Sequence, residues 1–266
     1  MSTYLSKPYD WEDAFGEVYR RTHEARETDD ETARQAFLAV GLAGVGPGAR
    51  VLDAPCGFGR HSHHLAGAGY DVVGVDRSAP SLEVASSRGR GDGPNPNFQR
   101  GDYRHLPLVD ADFDAVLCLF SSLGYLTRRE DKQVLAEFHR VLRPGARLVL
   151  DLAHRDGYVR AMRNSTTDFL DDGGIYIKRR AWDPSASTVH TQHLLIEPDG
   201  ARLEWENSQR FDSVDVWLAA LEAVGFTNVE VHGGLSRLDL AENLTERAVF
   251  ICQKPALTLP AGSDVI

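Results

Sequence analysis

Five short strand-like runs divide the first 152 residues, the first three ending at an acid and the fourth at a serine. They are Val51-Leu52 before Asp53, Tyr70 to Val75 before Asp76, Phe98 to Gly101 before Asp102, Ala115 to Phe120 before Ser121, and Leu148 to Leu152. Runs of this length and composition predict strands buried between two layers of helices. The intervening segments read as helices. His61 to Ala68 closes at Gly69, and Ser78 caps a helix running to about Arg88. Glu130 to Leu142 gathers Val134, Leu135, Phe138, Val141 and Leu142 on one face, and Arg143-Pro-Gly-Ala-Arg147 breaks it. An earlier helix is predicted from Asp29 or Asp30 to about Leu42, stopped by the turn chemistry of Gly44 to Gly48. Upstream, Trp11, Phe15, Val18 and Tyr19 share one helix face within residues 9–26. Strand and helix in alternation predict an α/β fold with a mostly parallel sheet.

From Ala153 onward the period changes. A short helix is expected from His154 to Met162. Gly174 to Trp182, Thr188 to Glu197 and Ala201 to Phe211 then alternate apolar and polar residues, as antiparallel strands with one solvated face do. Pro198-Asp199-Gly200 is a turn: Pro sets φ, Asp tolerates the corner and Gly takes positive φ. A helix over Ser213 to Ala223, a sixth strand around Val229 to Val231 and a seventh over Ala248 to Gln253 complete the pattern, the last two as antiparallel edge strands. Residues 89–97 are loop by composition, 255–266 read as a tail, and no internal repeat is present.

Composition narrows the partners. The 266 residues, 29.4 kDa, fit one large domain or one domain with an inserted subdomain. A formal net charge of −10 excludes a polyanion partner such as nucleic acid. No apolar run approaches the ~18–20 residues of a membrane span, and the first eleven residues are too polar for a secretion signal. Cys56, Cys118 and Cys252 lack any paired spacing, which points to a reducing cytoplasm and no disulfide framework.

Candidate chemistry concentrates at Asp53-Ala-Pro-Cys-Gly57-Phe-Gly59-Arg60-His61-Ser62. Strand, glycine turn and helix in that order hold a nucleotide-like ligand at the carboxyl edge of a parallel sheet. A dinucleotide fingerprint requires a third glycine where Ser62 stands, and a phosphate-binding loop requires a lysine that is absent. The acid before the turn repels a pyrophosphate and suits a ligand with an ammonium and a sulfonium. This segment resembles motif I of the class I S-adenosylmethionine-dependent methyltransferases, and four motifs in order extend the resemblance from about Ala49 to Leu152. It implies a Rossmann-like sheet of seven strands with helices on both faces, an inserted antiparallel three-strand subdomain and an N-terminal helical cap. The corresponding division is 1–48 lid, 49–153 cofactor core, 154–212 substrate cover, 213–254 return to the core and 255–266 tail.

The resemblance also implies a cofactor set. Asp53, Ala54, Pro55, Gly57, Gly59 and Arg60 come from the first loop, and Asp76 and Arg77 from the end of the second strand. Asp76 lies 23 residues after Asp53, near the ~20-residue offset at which an acid meets ribose hydroxyls, and a carboxylate accepts both bonds of a vicinal diol. Gly101, Asp102 and Tyr103 would face adenine, and Leu119 and Phe120 the sulfonium. Arg60 or His61 either meets the methionine carboxylate or pairs on the surface. The aromatic N-terminal helix either packs on the core or closes as a lid, bringing Tyr9 or Tyr19 to the methyl donor.

Methyl transfer needs donor and acceptor in line and, for a hydroxyl acceptor, a general base. His154, two residues past the fifth strand, and Tyr125, after the fourth, are the catalytic candidates, with structural roles as their alternatives. His190 and His193 are three apart and face opposite sides of a strand. His61, His63 and His64 have no carboxylate or cysteine at matching spacing, so no metal is assigned. The Phe120-Ser-Ser-Leu-Gly124 stretch is similar to that of antibiotic-sugar N-methyltransferases. The expected activity is therefore S-adenosylmethionine-dependent methylation of N or O on a small molecule, a secondary metabolite, with S-adenosyl-L-homocysteine as product. Two alternatives stand: the same cofactor site turned to elimination or cyclisation, or a non-catalytic binder. A homodimer is an open expectation.

Overall fold

The computed structural model describes residues 16–23, 28–88, 94–235 and 246–257. After α1 (Glu17–His23) and α2 (Asp29–Ala43), strands and helices alternate as β1 (Arg50–Asp53), α3 (Arg60–Gly67), β2 (Asp71–Asp76), α4 (Ala79–Arg88), β3 (Asn97–Arg100), β4 (Phe113–Cys118), α5 (Arg128–Val141) and β5 (Leu142–Ala153). The alternation of apolar side chains puts consecutive residues on opposite faces. Leu52, Val116, Leu148 and Leu150 join α5 residues Val134, Leu135 and Phe138 in one core cluster. Val51, Ala115, Leu117 and Val149 join Ala36, Ala39 and Val40 of α2 and Leu65 of α3 in the other. Thr127 closes a capping box with Glu130 at the start of α5, and Thr28 caps α2.

The chain continues through α6 (Arg155–Ala161), a second sheet of β6 (Ser165–Phe169), β7 (Ile175–Asp183), β8 (Thr188–Ile196) and β9 (Arg202–Arg210), then α7 (Val214–Val224), β10 (Thr227–His232) and β11 (Arg247–Gln253). The main sheet has seven strands in the order β10-β11-β5-β4-β1-β2-β3, and the second has four in the order β6-β7-β8-β9. α7 packs on the α5 side, where Trp217 and Leu221 join the larger core. Tyr158 of α6 stacks on Phe211 with ring centroids 4.4 Å apart, closing a small core between the two sheets.

The alternating α/β pattern and the seven-stranded mixed sheet agree with the sequence reading; three details differ. The second sheet has four strands rather than three, because Ser165–Phe169 pairs along β7 despite a polar composition that carries little strand signal. Only β11 runs against the main sheet: it lies antiparallel to both β5 and β10, so β10 at the edge points the same way as β5. β5 starts at Leu142, because the Arg143–Ala146 segment, read as a break, continues the strand through Gly145 at φ +85° and its backbone pairs with Lys254. Of the aromatic N-terminal stripe, Val18 and Tyr19 fall in α1, whereas Trp11 and Phe15 lie outside the described residues.

The first glycine turn is held down from beneath by one side chain. A Cβ built on Gly59 or on Gly74 of β2 would meet the Phe98 ring at 2.5 Å in each case, so the ring fills the room these two glycines leave. Gly74→Ala is expected to destabilise the fold by about 1–3 kcal/mol through overpacking. Phe98→Leu in the same chain should return part of that loss, because the two sites share one volume. Denaturant midpoints of the single and double variants check this, and strictly additive losses would contradict it.

Candidate functional site

The carboxyl ends of β1, β2, β3 and β4 open into one cavity. From the first turn it is lined by Pro55, Cys56, Gly57, Phe58, Arg60 and His61, and from the end of β2 by Val75, Asp76, Arg77, Ser78 and Ser81. Gly101, Asp102, Tyr103 and Arg104 follow β3, and Leu119, Phe120, Ser121, Ser122, Tyr125 and Leu126 follow β4. Tyr19 of α1 completes the wall and stacks on Phe58 with ring centroids 6.3 Å apart. Thirteen sequence-predicted residues therefore meet here: Tyr19, Pro55, Gly57, Arg60, His61, Asp76, Arg77, Gly101, Asp102, Tyr103, Leu119, Phe120 and Tyr125.

Four of the expected residues are placed elsewhere. Asp53 is buried beneath the turn, where its carboxylate accepts the Ser62 hydroxyl at 2.6 Å, and it does not line the cavity. Ala54 is wholly buried and donates its N–H to the Leu117 carbonyl at 3.0 Å. Gly59 is the N-cap of α3 and faces Phe98 rather than the cavity. His154 is also absent from the lining: it caps α6, its Nδ1 accepting the Gly157 N–H at 3.4 Å. Residue counting put it near the rim because β5 ends there; the helix that follows needs an acceptor at its start, which redirects the ring. Tyr9 lies outside the described residues.

Charge is distributed unevenly around the cavity. Burial pushes the Asp53 carboxyl up to about 6, against the opposing pull of Ser62 and Arg60 and with help from the nearby Asp76. Burial also raises Asp76, although backbone N–H groups of Ser78 and Gly57 each donate to one of its oxygens at 2.8 Å. Those bonds fix the carboxylate and still leave an acceptor site on each oxygen. At Asp102 burial is outweighed by Arg104, which bonds both oxygens and holds the carboxyl below its usual range. Arg104 reaches on to Glu130 at 2.7 Å. Tyr103 is pushed well up by burial, and its hydroxyl donates to the Ser122 carbonyl at 3.3 Å.

Arg60 and His61 turn toward α2. Arg60 donates to Thr32 and to Gln35 Oε1, each at 3.1 Å, and its guanidinium lies 4.6 Å from the Phe120 ring centroid. His61 Nε2 meets the same Gln35 oxygen at 3.1 Å, so the ring proton sits on Nε2; burial holds this imidazole neutral, well below its ordinary pKa. The other two histidines of the run diverge, His63 to the Ala85 carbonyl and His64 to Asp29. His190 and His193 face opposite sides of β8 as expected. His193 is buried, stacked on Trp205 and bonded to the Tyr176 hydroxyl at 2.6 Å, whereas His190 is exposed.

Several lining residues escaped the sequence reading. Arg104 was signalled only by its position two residues after Asp102. Cys56 and Phe58 lie between the motif's acid and its second glycine and also line the cavity. Phe120 and Ser121 adopt positive φ, +64° and +59°, which no residue type in the stretch announces.

A methyltransferase-domain family matches residues 51–145, the part that holds the first four strands and the start of the fifth. The demethylmenaquinone methyltransferase of Renibacterium salmoninarum is 41% identical over 216 residues, 79% of this chain and 81% of that protein. Among solved structures, the CcbJ methyltransferase from Streptomyces caelestis superposes with a TM-score of 0.77 at 21% identity, over 93% of this chain and 100% of that one. The sugar N-methyltransferase KedS8 from Streptoalloteichus does so with 0.72 at 22% identity, over 96% and 99%. With the cavity at the carboxyl edge of the sheet and a curated relative matched over most of both chains, this chain belongs to the S-adenosylmethionine-dependent methyltransferases.

Proposed function

We propose that the cavity holds S-adenosylmethionine across the ends of β1 to β4 and that the acceptor is an amine of a small molecule. The observation that carries the cofactor placement is the disposition of three acids. Asp76 and Asp102 line the cavity at successive strand ends, and Asp53 lies buried just behind the first turn. An acid whose carboxyl is raised by burial is stabilised by a neighbouring cation and destabilised by a pyrophosphate, which suits an ammonium and a sulfonium. The open room over Gly57, where a built Cβ meets nothing within 4 Å, lets a ligand approach the turn.

On this reading the acceptor sites left on Asp76 take the ribose diol, Asp102 receives the adenine amino group, and the Tyr103 side chain packs against the ring. Bound S-adenosylmethionine supplies an electrophilic methyl group for in-line displacement by an acceptor lone pair. The chain's own part is to orient that lone pair and exclude water, with Phe120 and Tyr125 walling the transfer region and α1 closing above it. Arg21 supports the lid role of α1: it bonds Asp172 at 2.6 Å and Glu197 at 2.8 Å, both at turns of the second sheet, so α1 and that sheet are fastened together beside the cavity.

Neither Tyr103 nor His61 of the lining is poised to deprotonate a hydroxyl. Tyr103 is raised far above neutrality, and His61 is depressed and held by Gln35. An amine that arrives unprotonated needs no such base, and this favours nitrogen over oxygen. The sugar N-methyltransferase likeness agrees in fold with that choice, whereas the curated relative matched over most of both chains is a demethylmenaquinone methyltransferase.

Calorimetric titration should show S-adenosylmethionine and S-adenosyl-L-homocysteine binding while NAD does not. Incubation with primary and secondary amines should accumulate S-adenosyl-L-homocysteine only in the presence of an accepted amine; preference for NAD would overturn the cofactor placement. Asp53→Asn gives two changes of opposite sign. The Asp53 carboxyl is raised from 3.8 to about 6 in the fold, so it is a liability above that range and none below pH ~4. The ligand-free variant should be more stable at pH 7, by up to about 3 kcal/mol, with the gain gone at pH 4, while its S-adenosylmethionine affinity falls at least about tenfold. Thermal melts at both pH values and one binding isotherm check this. Arg21→Ala should weaken S-adenosylmethionine binding by roughly two- to fivefold, since a part-buried bidentate ion pair is lost; unchanged affinity would remove the lid role.

A further inference from the structure

Among the described residues, no side chain of β6 to β9 lines the cavity, yet the last strand of that sheet holds one of its walls. Gln209 Nε2 donates to the Ser121 carbonyl at 2.8 Å and to the Leu123 carbonyl at 3.0 Å. The Arg210 N–H donates to the Gly124 carbonyl at 2.8 Å, and Arg210 Nη1 to the Leu126 carbonyl at 2.6 Å. The Arg210 guanidinium is itself fixed by buried Asp131 and by Asp212. Gly124 has φ +91°, and a Cβ there would collide with the Arg210 carbonyl oxygen, so strand and loop are in direct backbone contact.

The segment gripped in this way carries six lining residues, from Leu119 to Leu126. Phe120 and Ser121 in it stand at φ +64° and +59°, a conformation that costs a residue with a Cβ about 1–2 kcal/mol. Such strain persists only where the surroundings over-determine it. One support is β5: Asp151 accepts the Phe120 N–H on its carboxylate at 3.1 Å and the Ser121 N–H on its backbone carbonyl at 2.9 Å. The other is Gln209, which holds the carbonyl side of Ser121. Among the described residues the buried Ser121 hydroxyl oxygen has no hydrogen-bond partner.

We propose that Gln209 is a positioning residue: from the antiparallel sheet it keeps Phe120 and Ser121 in their left-handed conformation and so shapes the wall that faces the methyl donor. The second sheet is thereby part of the donor site at one remove. This rests on the reading of the cavity as the S-adenosylmethionine site.

The test titrates S-adenosyl-L-homocysteine into the full-length wild type, Gln209→Leu and Gln209→Glu. Gln209→Leu removes two donors and should weaken binding about tenfold, with an unfolding midpoint within a few degrees of wild type. Gln209→Glu sets a carboxylate against two carbonyl oxygens and should bind at least as poorly at pH 8. At pH 5 the protonated acid of that variant regains an O–H donor, so the ratio of its dissociation constant to that of wild type should fall toward one. Dividing by wild type removes the titration of neighbouring Asp131, which burial raises to about 6, and any contribution of Asp212 and Asp151. The ratio also serves if Gln209→Leu fails to fold. A merely structural role would lower the melting temperature and leave the ratio flat with pH, and binding like wild type by both variants would equally overturn the proposal. Wild type that fails to bind the nucleoside at all would overturn the cavity reading itself, a result distinct from either.

Discussion

A parallel sheet covered on both faces can return its chain only outside the sheet, so every forward strand ends at the same edge. That constraint assembles the site. β1, β2, β3 and β4 are each followed by a short polar or glycine-containing segment, and the pairings of β1 with β2 and β4, and of β2 with β3, bring those segments to one rim. The two cores, one under α5 and α7 and the other under α2 and α3, hold that edge rigid. The rim can therefore keep groups that burial disfavours.

Asp53 and Asp76 are such groups. Asp53 is removed from water and Asp76 is half-buried at the cavity wall, and both are offset by short hydrogen bonds: Ser62 for Asp53, the Gly57 and Ser78 N–H groups for Asp76. The turn and the two acids thus depend on each other. Phe98 completes the arrangement from below, filling the room over Gly59 and Gly74 so that the turn lies close against β2. Asp102 differs: Arg104 neutralises it, and Glu130 holds Arg104 from the far side.

Much of this was legible along the chain because local rules decide it. The apolar runs and their terminal acids, the glycine pair at 57 and 59, the Pro198-Asp199-Gly200 corner and the amphipathic face of α5 are short-range signals, and each became the element it predicts. The inserted sheet was legible except for β6, whose Ser-Thr-Thr-Asp-Phe sequence extends only because β7 offers a ladder. Candidate residues chosen by distance from a strand end fared less evenly. Tyr125 reached the cavity, whereas His154 was drawn off by the start of α6.

Sequence alone determined the order of strands and helices, the acid at the end of each of the first three strands and the glycine turn, since these follow from side-chain size, period and backbone freedom over a few residues. Tertiary structure decided which of the acids face the cavity, where Arg60 and His61 spend their hydrogen bonds, and that Gln209 and Arg210, more than 80 positions further along, hold the wall after β4. Those outcomes rest on contacts between segments distant in the chain, and no periodicity records which distant partner will lie within 3 Å.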